Sequence, residues 1–404
     1  MERNGENPWK RNVGLFLAGQ AVSLVGSSLV GYAVLWYMTL RTGSGAVMTA
    51  FILATMLPTF FMSPFGGVWA DRYNRRNLIN IADACIAVAS LCVAALFSAG
   101  SGAMWLLFLC LIVRSLGQGV QFPAVGALIP QLVPEEHLVR VNGIQTAIQS
   151  VANLGSPALG AALLKFASIQ AALYVDVLTA AVGIAILAFL VKVPARDAVI
   201  QKNASYFREM KDGLAYTSGR AWLKMLFVFA AVFLVLISPV AFLTPLQVAR
   251  DFGEDEWLLM AIELAFSAGI IGGGVLVSVW GGFSDRIKTI VLGAVLLGIS
   301  TIALGLLTNF PLYLVAMALC GFSMPLVNTP FQAIIQSRVE DAFLGRVTSV
   351  WTMITTLIMP LSMLAFGPLA DLVNIDWMLV VSGAATIVAC PLMAANRALR
   401  EIRV

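Results

Sequence analysis

Gly66-Gly67-Val68-Trp69-Ala70-Asp71-Arg72-Tyr73-Asn74-Arg75-Arg76 stands between two long apolar stretches. A glycine pair allows two helices to approach closely, an aspartate follows at the membrane surface, and Arg72, Arg75 and Arg76 hold the loop on the cytoplasmic side. The segment therefore reads as a tight cytoplasmic turn between two membrane-spanning helices.

Composition agrees, because 60% hydrophobic and 11% charged residues with a mean hydropathy of +0.90 lie far from a soluble globular chain. Residues 12–40, 42–70, 141–164, 225–249, 347–370 and 377–396 carry no Asp, Glu, Lys or Arg, and runs of this length cross a bilayer. Thr308-Asn309-Phe310-Pro311 splits the uncharged run 289–337 into two spans, and Ser98-Ala99-Gly100-Ser101-Gly102 splits residues 77–130 likewise. With segments near 167–193 and 257–280 the count reaches twelve. Continuous apolar blocks exclude a β-barrel, whose strands alternate. The expected fold is an all-α membrane protein of twelve transmembrane helices.

Basic residues test that count, since cytoplasmic loops collect Lys and Arg. Twenty-one of the 25 fall at the termini and in the even-numbered loops, from Arg3, Lys10 and Arg11 through Arg140, Lys192, Arg196, Lys202 and Arg220 to Arg403. Only Arg41, Lys165 and Arg250 fall on the opposite face, and Arg114 lies within a span. A miscounted helix would scramble this parity, so both termini are expected in the cytoplasm. The net charge of +4 then reflects anchoring to the lipid bilayer and implies no nucleic-acid partner.

Lys10-Arg11 before an apolar run mimics a signal peptide, but the run is too long and no small-residue cleavage site ends it. Cys85, Cys92, Cys110, Cys320 and Cys390 all fall in spans, where they read as small buried hydrophobes and imply neither disulfide nor metal. The single histidine, His137, reads as a solvated loop residue. No phosphate-binding loop, metal-ligand cluster or nucleophile with a base is visible. The chain is not expected to be an enzyme or to need a cofactor.

An internal repeat divides the chain. Gly281-Gly282-Phe283-Ser284-Asp285-Arg286 echoes Gly66-Gly67 through Asp71-Arg72, and Val339-Glu340-Asp341 leading to Arg346-Val347 echoes Val133-Pro134-Glu135-Glu136 leading to Arg140-Val141. The expected organisation is a six-helix bundle over 1–193, a cytoplasmic linker with an amphipathic helix over 194–221, and a second six-helix bundle over 222–404. Asp71 and Asp285 are expected to dock on the positive N-terminal ends of the eleventh and fifth spans, each contact contributing about 0.3–1 kcal/mol when exposed and about 2 when partly buried. That size suits a latch that opens.

Ionisable residues within spans mark function, because a charge at a helix centre costs roughly 2.5–3.5 kcal/mol on the insertion scale. Arg114 lies near the middle of the fourth span, with Gln118 and Gln121 at i+4 and i+7 on its face. Asp83, Asp176 and Glu263 lie one or two turns inside a boundary, where carboxylates also snorkel. Glu263 is the leading proton carrier, because Ser267 and Gly274 continue its face. Gln20, Ser27 and Gly31, then Gln145, Gln149 and Ser156, then Asn328, Gln332 and Gln336 form stripes on three spans, to which Tyr32, Phe122, Phe331, Trp351 and Thr355 add aromatic and hydroxyl surface. A cavity with amides, apolar walls and few fixed charges suits a bulky amphipathic molecule.

The Gly66–Arg76 segment resembles the signature loop of the major facilitator superfamily, whose fold is two pseudo-symmetric six-helix halves. Ala18-Gly19-Gln20-Ala21-Val22-Ser23-Leu24, Ile112-Val113-Arg114-Ser115, Leu132-Val133-Pro134-Glu135-Glu136, Phe207-Arg208-Glu209-Met210-Lys211 and Leu344-Gly345-Arg346-Val347 are similar to its macrolide-efflux branch. In the superfamily an arginine placed like Arg114 belongs to a motif implicated in proton coupling; here Gly117, Gln118 and Gly119 follow one residue out of step. Gly155-Ser156-Pro157-Ala158-Leu159-Gly160 resembles a degraded antiporter signature and serves equally as a packing motif. The resemblance implies proton-coupled antiport by alternating access, multidrug efflux and antibiotic resistance, in a monomer of the bacterial inner membrane. Export of a siderophore or another metabolite would share these features. A membrane sensor or scaffold would differ in tolerating neutralisation of Arg114.

Overall fold

The computed structural model describes residues 8–193 and 206–400, and every described element is helical. The first half comprises α1 (Pro8–Thr42), α2 (Gly45–Arg72), α3 (Arg75–Ser98), α4 (Met104–Leu132), α5 (Leu138–Phe166) and α6 (Ile169–Ala185), whose last turn widens to π geometry over Ile186–Leu190. The second comprises α7 (Tyr206–Gly219), α8 (Ala221–Phe242), α9 (Thr244–Asp251), α10 (Glu256–Trp280), α11 (Arg286–Leu306), α12 (Phe310–Arg338), α13 (Asp341–Ala370), α14 (Ile375–Ala395) and α15 (Arg397–Arg400). Eleven spans among the described residues are long and apolar enough to cross a bilayer, with α8 and α9 counted as one; α14, whose apolar stretch Ile375–Cys390 is shorter, is the twelfth.

The breaks fall where the turn chemistry predicts. Asn309 caps α12 by accepting the Leu312 N–H at 3.2 Å, with Pro311 in the first turn. Asn74 caps α3 through the Asn77 N–H at 3.3 Å, and Gly100 takes φ 93° beyond the end of α3. A side-chain oxygen at each start satisfies a backbone donor that has no partner inside the helix.

The chain divides into two compact units, Met1–Met38 with Ala50–Gln201 and Thr39–Thr49 with Lys202–Val404. The turn joining α1 to α2 thus belongs with the second unit. α7, within the stretch expected as the linker, packs on α13 and α8. There Arg220 lies 3.6 Å over the Tyr216 ring, Tyr216 stacks on Phe343 at 4.3 Å, and Arg220 pairs with Glu340. Residues 194–205 of that linker, and with them Arg196 and Lys202, lie outside the described residues, as do Arg3 and Arg403.

Glycines set the closest helix approaches. A Cβ on Gly26 of α1 would stand 1.9 Å from Thr179 Oγ1 of α6, and one on Gly66 of α2 would stand 2.4 Å from the Gly119 carbonyl of α4. Gly67 meets nothing, so one member of the expected glycine pair does the packing. The echo at Gly281-Gly282 behaves differently. Both glycines take positive φ, 76° and 80°, and end α10, whereas α2 runs on as a helix to Arg72. The two segments match in sequence but not in backbone path.

The cysteines divide. Cys110, Cys320 and Cys390 are buried, but Cys85 and Cys92 are exposed on the surface of α3, because they lie on the face away from Asp83 and Ser90. His137 keeps a partly exposed side chain while its ring stacks on Trp9 at 4.9 Å.

Within the second unit Asp371, at the end of α13, clasps the α1–α2 turn. It accepts the Gly45 N–H at 2.6 Å, the Ala46 N–H at 3.0 Å and the Ser44 hydroxyl at 2.8 Å, and pairs with Arg250 at 3.1 Å. Arg250 also donates to the carbonyls of Gly43 and Ala370, both at 2.6 Å. Partial burial works against the Asp371 charge, but the Ala46 and Gly45 N–H groups, the Ser44 hydroxyl and Arg250 together hold its carboxyl below the usual carboxylate range. Beneath the clasp, a Cβ on Gly367 would lie 1.6 Å from Thr49 Oγ1 and 2.6 Å from the Gly45 carbonyl. Gly367→Val is therefore expected to lower stability by about 1–3 kcal/mol through overpacking, read as a fall in Tm of the purified protein. Because the folded Asp371 carboxyl sits below its unfolded value of about 3.9, the clasp contributes fully above about pH 5 and fades as the pH falls further. The Tm gap between wild type and Asp371→Asn should stay constant from about pH 8 to about pH 5 and shrink below that.

Candidate functional site

Four helices of the first unit converge on a buried ion pair. Arg114 of α4 and Asp176 of α6 are 4% and 1% exposed and pair directly through Nη1 and Oδ2. The remaining groups around them are satisfied in the same way. Arg114 Nη1 donates to Ser90 Oγ of α3 at 2.9 Å, and Nη2 donates to the Ser27 carbonyl of α1 at 3.2 Å. Asp176 accepts the hydroxyls of Ser90 at 2.7 Å and Ser27 at 3.3 Å. A buried pair survives in apolar surroundings only when its spare lone pairs and protons find such partners.

Asp83 of α3 is also buried, at 3% exposure, and accepts a hydrogen bond from Gln121 Nε2 of α4. Both Asp83 and Asp176 face the interior of the helix bundle. Position relative to a span's end does not say which way a residue faces. Glu263 of α10 is half-buried in the second unit and has no hydrogen-bond or ion-pair partner among the described residues. The four expected proton-coupling residues are thus one pair, one amide-bound carboxylate and one solitary carboxylate.

Beside this network lies a polar cavity of about 50 Å³, lined by Gln20, Ser23, Leu24, Ser27, Gln118, Gln121, Phe122, Val125, Gln145 and Gln149. Six of the expected cavity residues, Gln20, Gln118, Gln121, Phe122, Gln145 and Gln149, meet here. Gln145 Oε1 is buried without a partner. Ser27 and Gln121 belong both to this wall and to the carboxylate network.

In the second unit a larger cavity of about 290 Å³ is bounded by α8, α11, α12, α13 and α14. Asn328, Phe331, Trp351 and Thr355, all expected, line it with Phe229, Phe233, Met324, Met359 and Thr386. Phe331 and Trp351 lie 4.2 Å apart and Phe227 lies 5.8 Å from Trp351, forming an aromatic wall of large apolar area. Tyr32 and Gln332 line neither cavity. Tyr32 packs against Trp36 at 5.7 Å and fills the space beside Gly160.

The signature loop is held by its own arginine. Arg75 is buried and donates to the carbonyls of Ala70 at 2.9 Å and Ala127 at 2.5 Å, tying the end of α2 to α4. Arg286 does the same in the second unit through the Ala333 carbonyl and the Ser337 hydroxyl, both at 2.7 Å. Asp71 is largely exposed and stands 3.6 Å from Arg75; Asp285 caps α11 through the Ile287 N–H at 3.0 Å. Arg72 is exposed and Arg76 half-buried.

Sequence reasoning did not find Ser90, although it lies seven residues after Asp83 and so on the same face of α3. A lone serine in a small-residue helix gives no periodic signal. Met324 and Thr386 were missed because single residues on separate spans reveal no common wall.

The family model described as Major Facilitator Superfamily matches residues 16–363. The chain is 30% identical over 393 residues to Macrolide efflux protein A of Streptococcus pyogenes, covering 96% of this chain and 97% of that protein. It is 25% identical to Multidrug efflux pump Tap of Mycobacterium tuberculosis, covering 88% and 86%. The crystal structure of the nucleoside transporter NupG superposes with a TM-score of 0.73 at 15% identity, covering 94% of this chain and 99% of that one.

Removing one partner of the buried pair leaves an uncompensated charge, at a cost of about 3–5 kcal/mol. Asp176→Asn and Arg114→Met are each expected to lower Tm sharply. The double variant Arg114→Met with Asp176→Leu should recover most of that Tm, because apolar side chains replace both buried charges; a double variant no more stable than the single ones would contradict this.

Proposed function

The chain belongs to the major facilitator superfamily, and on that premise we propose that it exports bulky amphipathic compounds of the macrolide type in exchange for protons, by alternating access. What carries this reading is the sharing of Ser27 and Gln121 between the polar cavity wall and the buried carboxylates. Proton binding and substrate binding then act on the same few side chains. Arg114, Asp176 and Asp83 handle the proton in the first unit, with Glu263 a second carrier in the other unit.

The substrate class is supported by the two relatives named for macrolide and multidrug efflux and by the chemistry of the walls. The amides that line the first unit's cavity and, separately, the aromatic and thioether surface that lines the second unit's each offer contact without a fixed charge, as suits a large molecule with scattered hydroxyls. The protein resides in a bacterial inner membrane as a monomer with both termini cytoplasmic, in keeping with its one-sided basic loops.

The energetics suffice. One proton moving down roughly 150 mV releases about 3.5 kcal/mol, which sustains a gradient of several hundredfold, roughly, for a neutral substrate. Cells expressing the protein should accumulate less labelled erythromycin than empty cells, and a protonophore should abolish the difference. Equal accumulation, with the protein present in the membrane, would remove macrolides from the reading.

A further inference from the structure

Asp83 and Gln121 form a junction that the export reading leaves unexplained. Asp83 is buried, and its one hydrogen bond among the described residues comes from the Gln121 amide nitrogen. Gln121 is only half-buried, because its other side lines the polar cavity. No other residue there both lines the cavity and hydrogen-bonds Asp83.

The charges around Asp83 can be named element by element. α3 packs on α4 and on α6 with its π turn. From α6 comes Asp176, whose charge is matched by Arg114 of α4; Cys110 of α4 lies on the Arg114 side of that pair. The π turn Ile186–Leu190 carries no titratable group. Asp83 is thus the carboxyl in this cluster without a countercharge, and its hydrogen bonding rests on one amide.

Its two protonation states favour opposite faces of that amide, because only the protonated carboxyl has a proton to place on an acceptor. An ionised carboxylate only accepts, so Gln121 turns its NH₂ to Asp83 and leaves its carbonyl oxygen available at the cavity wall. A protonated carboxyl has an O–H to donate, for which the amide oxygen is the matching acceptor. The amide then rotates about its last side-chain bond, a broad and soft torsion, and presents NH₂ to the cavity instead. One proton at Asp83 therefore exchanges an acceptor for a donor on the substrate's side.

We infer that Gln121 is the positioning residue that couples the two ligands: it offers an acceptor to a hydrogen-bond-donating substrate, a hydroxyl or an ammonium, only while Asp83 is ionised. Protonation of Asp83 inverts the amide and withdraws that acceptor. The inference rests on the proton-exchange reading and adds the residue, and the donor chemistry of the substrate, through which exchange is enforced.

Equilibrium binding of labelled erythromycin to the purified full-length protein tests it. In wild type, Kd should rise by roughly tenfold or more between about pH 8 and about pH 6, the slope that a single linked proton allows. Gln121→Leu should bind more weakly at high pH and lose most of that pH dependence, although Asp83 is untouched. Asp83→Asn should flatten the profile as well, and it serves if Gln121→Leu fails to fold. Gln118→Leu, a change to a wall amide with no bond to Asp83, should keep the slope. A Gln121→Leu protein whose Kd rises with falling pH as steeply as wild type would overturn the role of Gln121 while leaving proton-driven export standing. A wild type that binds erythromycin without any pH dependence would overturn both.

Discussion

The Arg114–Asp176 pair is the constraint from which the first unit is built. Two opposite charges taken out of water lose several kcal/mol of hydration each, and only close contact with further hydrogen bonds makes good that loss. Here the bonds come from Ser90 of α3 and Ser27 of α1, so the pair fixes the depth and rotation of four helices. The glycines serve the same end. Gly26 lets α1 lie against Thr179 on α6, one turn from Asp176, and Gly117 of α4 lies against Ile86 of α3. Small residues bring the backbones close enough for short serine side chains to reach the charges.

The second unit solves the packing problem without such a centre. α10 and α12 are locked by mutual glycine contacts, in which added carbons on Gly269, Gly273 and Gly321 would meet the carbonyls of Ala318, Phe322 and Phe266 at 1.9, 2.1 and 2.0 Å. The polar cluster of this unit gathers elsewhere, around Gln247 of α9, which donates to the Leu304 carbonyl at 2.9 Å and to Asp376 at 2.7 Å and accepts from Tyr313 at 2.9 Å. The cavity is left apolar and aromatic. Two halves that share a repeat have thus diverged in chemistry, one toward charge and amides, the other toward contact area.

The architecture was legible because membrane helices write themselves in hydropathy, and the parity of basic residues supplied an independent check on the count. Gln20 and Ser27 of α1, Gln118 and Gln121 of α4 and Gln145 and Gln149 of α5 line one cavity, whereas Gly31 and Ser156 of the same stripes do not. Burial direction was less legible: nothing in the sequence told that Asp83 and Asp176 turn inward, because lipid and bundle interior are equally apolar neighbours. Arg75 looked like one more cytoplasmic charge, yet it is a buried carbonyl clamp. Gly281 and Gly282 matched Gly66 and Gly67 letter by letter while taking left-handed backbone, a difference that depends on where α10 stops and that the letters do not encode.

The central claim is that proton and substrate compete through side chains that touch both. Proton release on substrate binding measures this most directly. Erythromycin added to the purified protein in weakly buffered solution near neutral pH, corrected for the titration of the drug alone, should release protons in proportion to occupied sites and approaching about one per site. Binding that saturates with no release of protons would contradict the account.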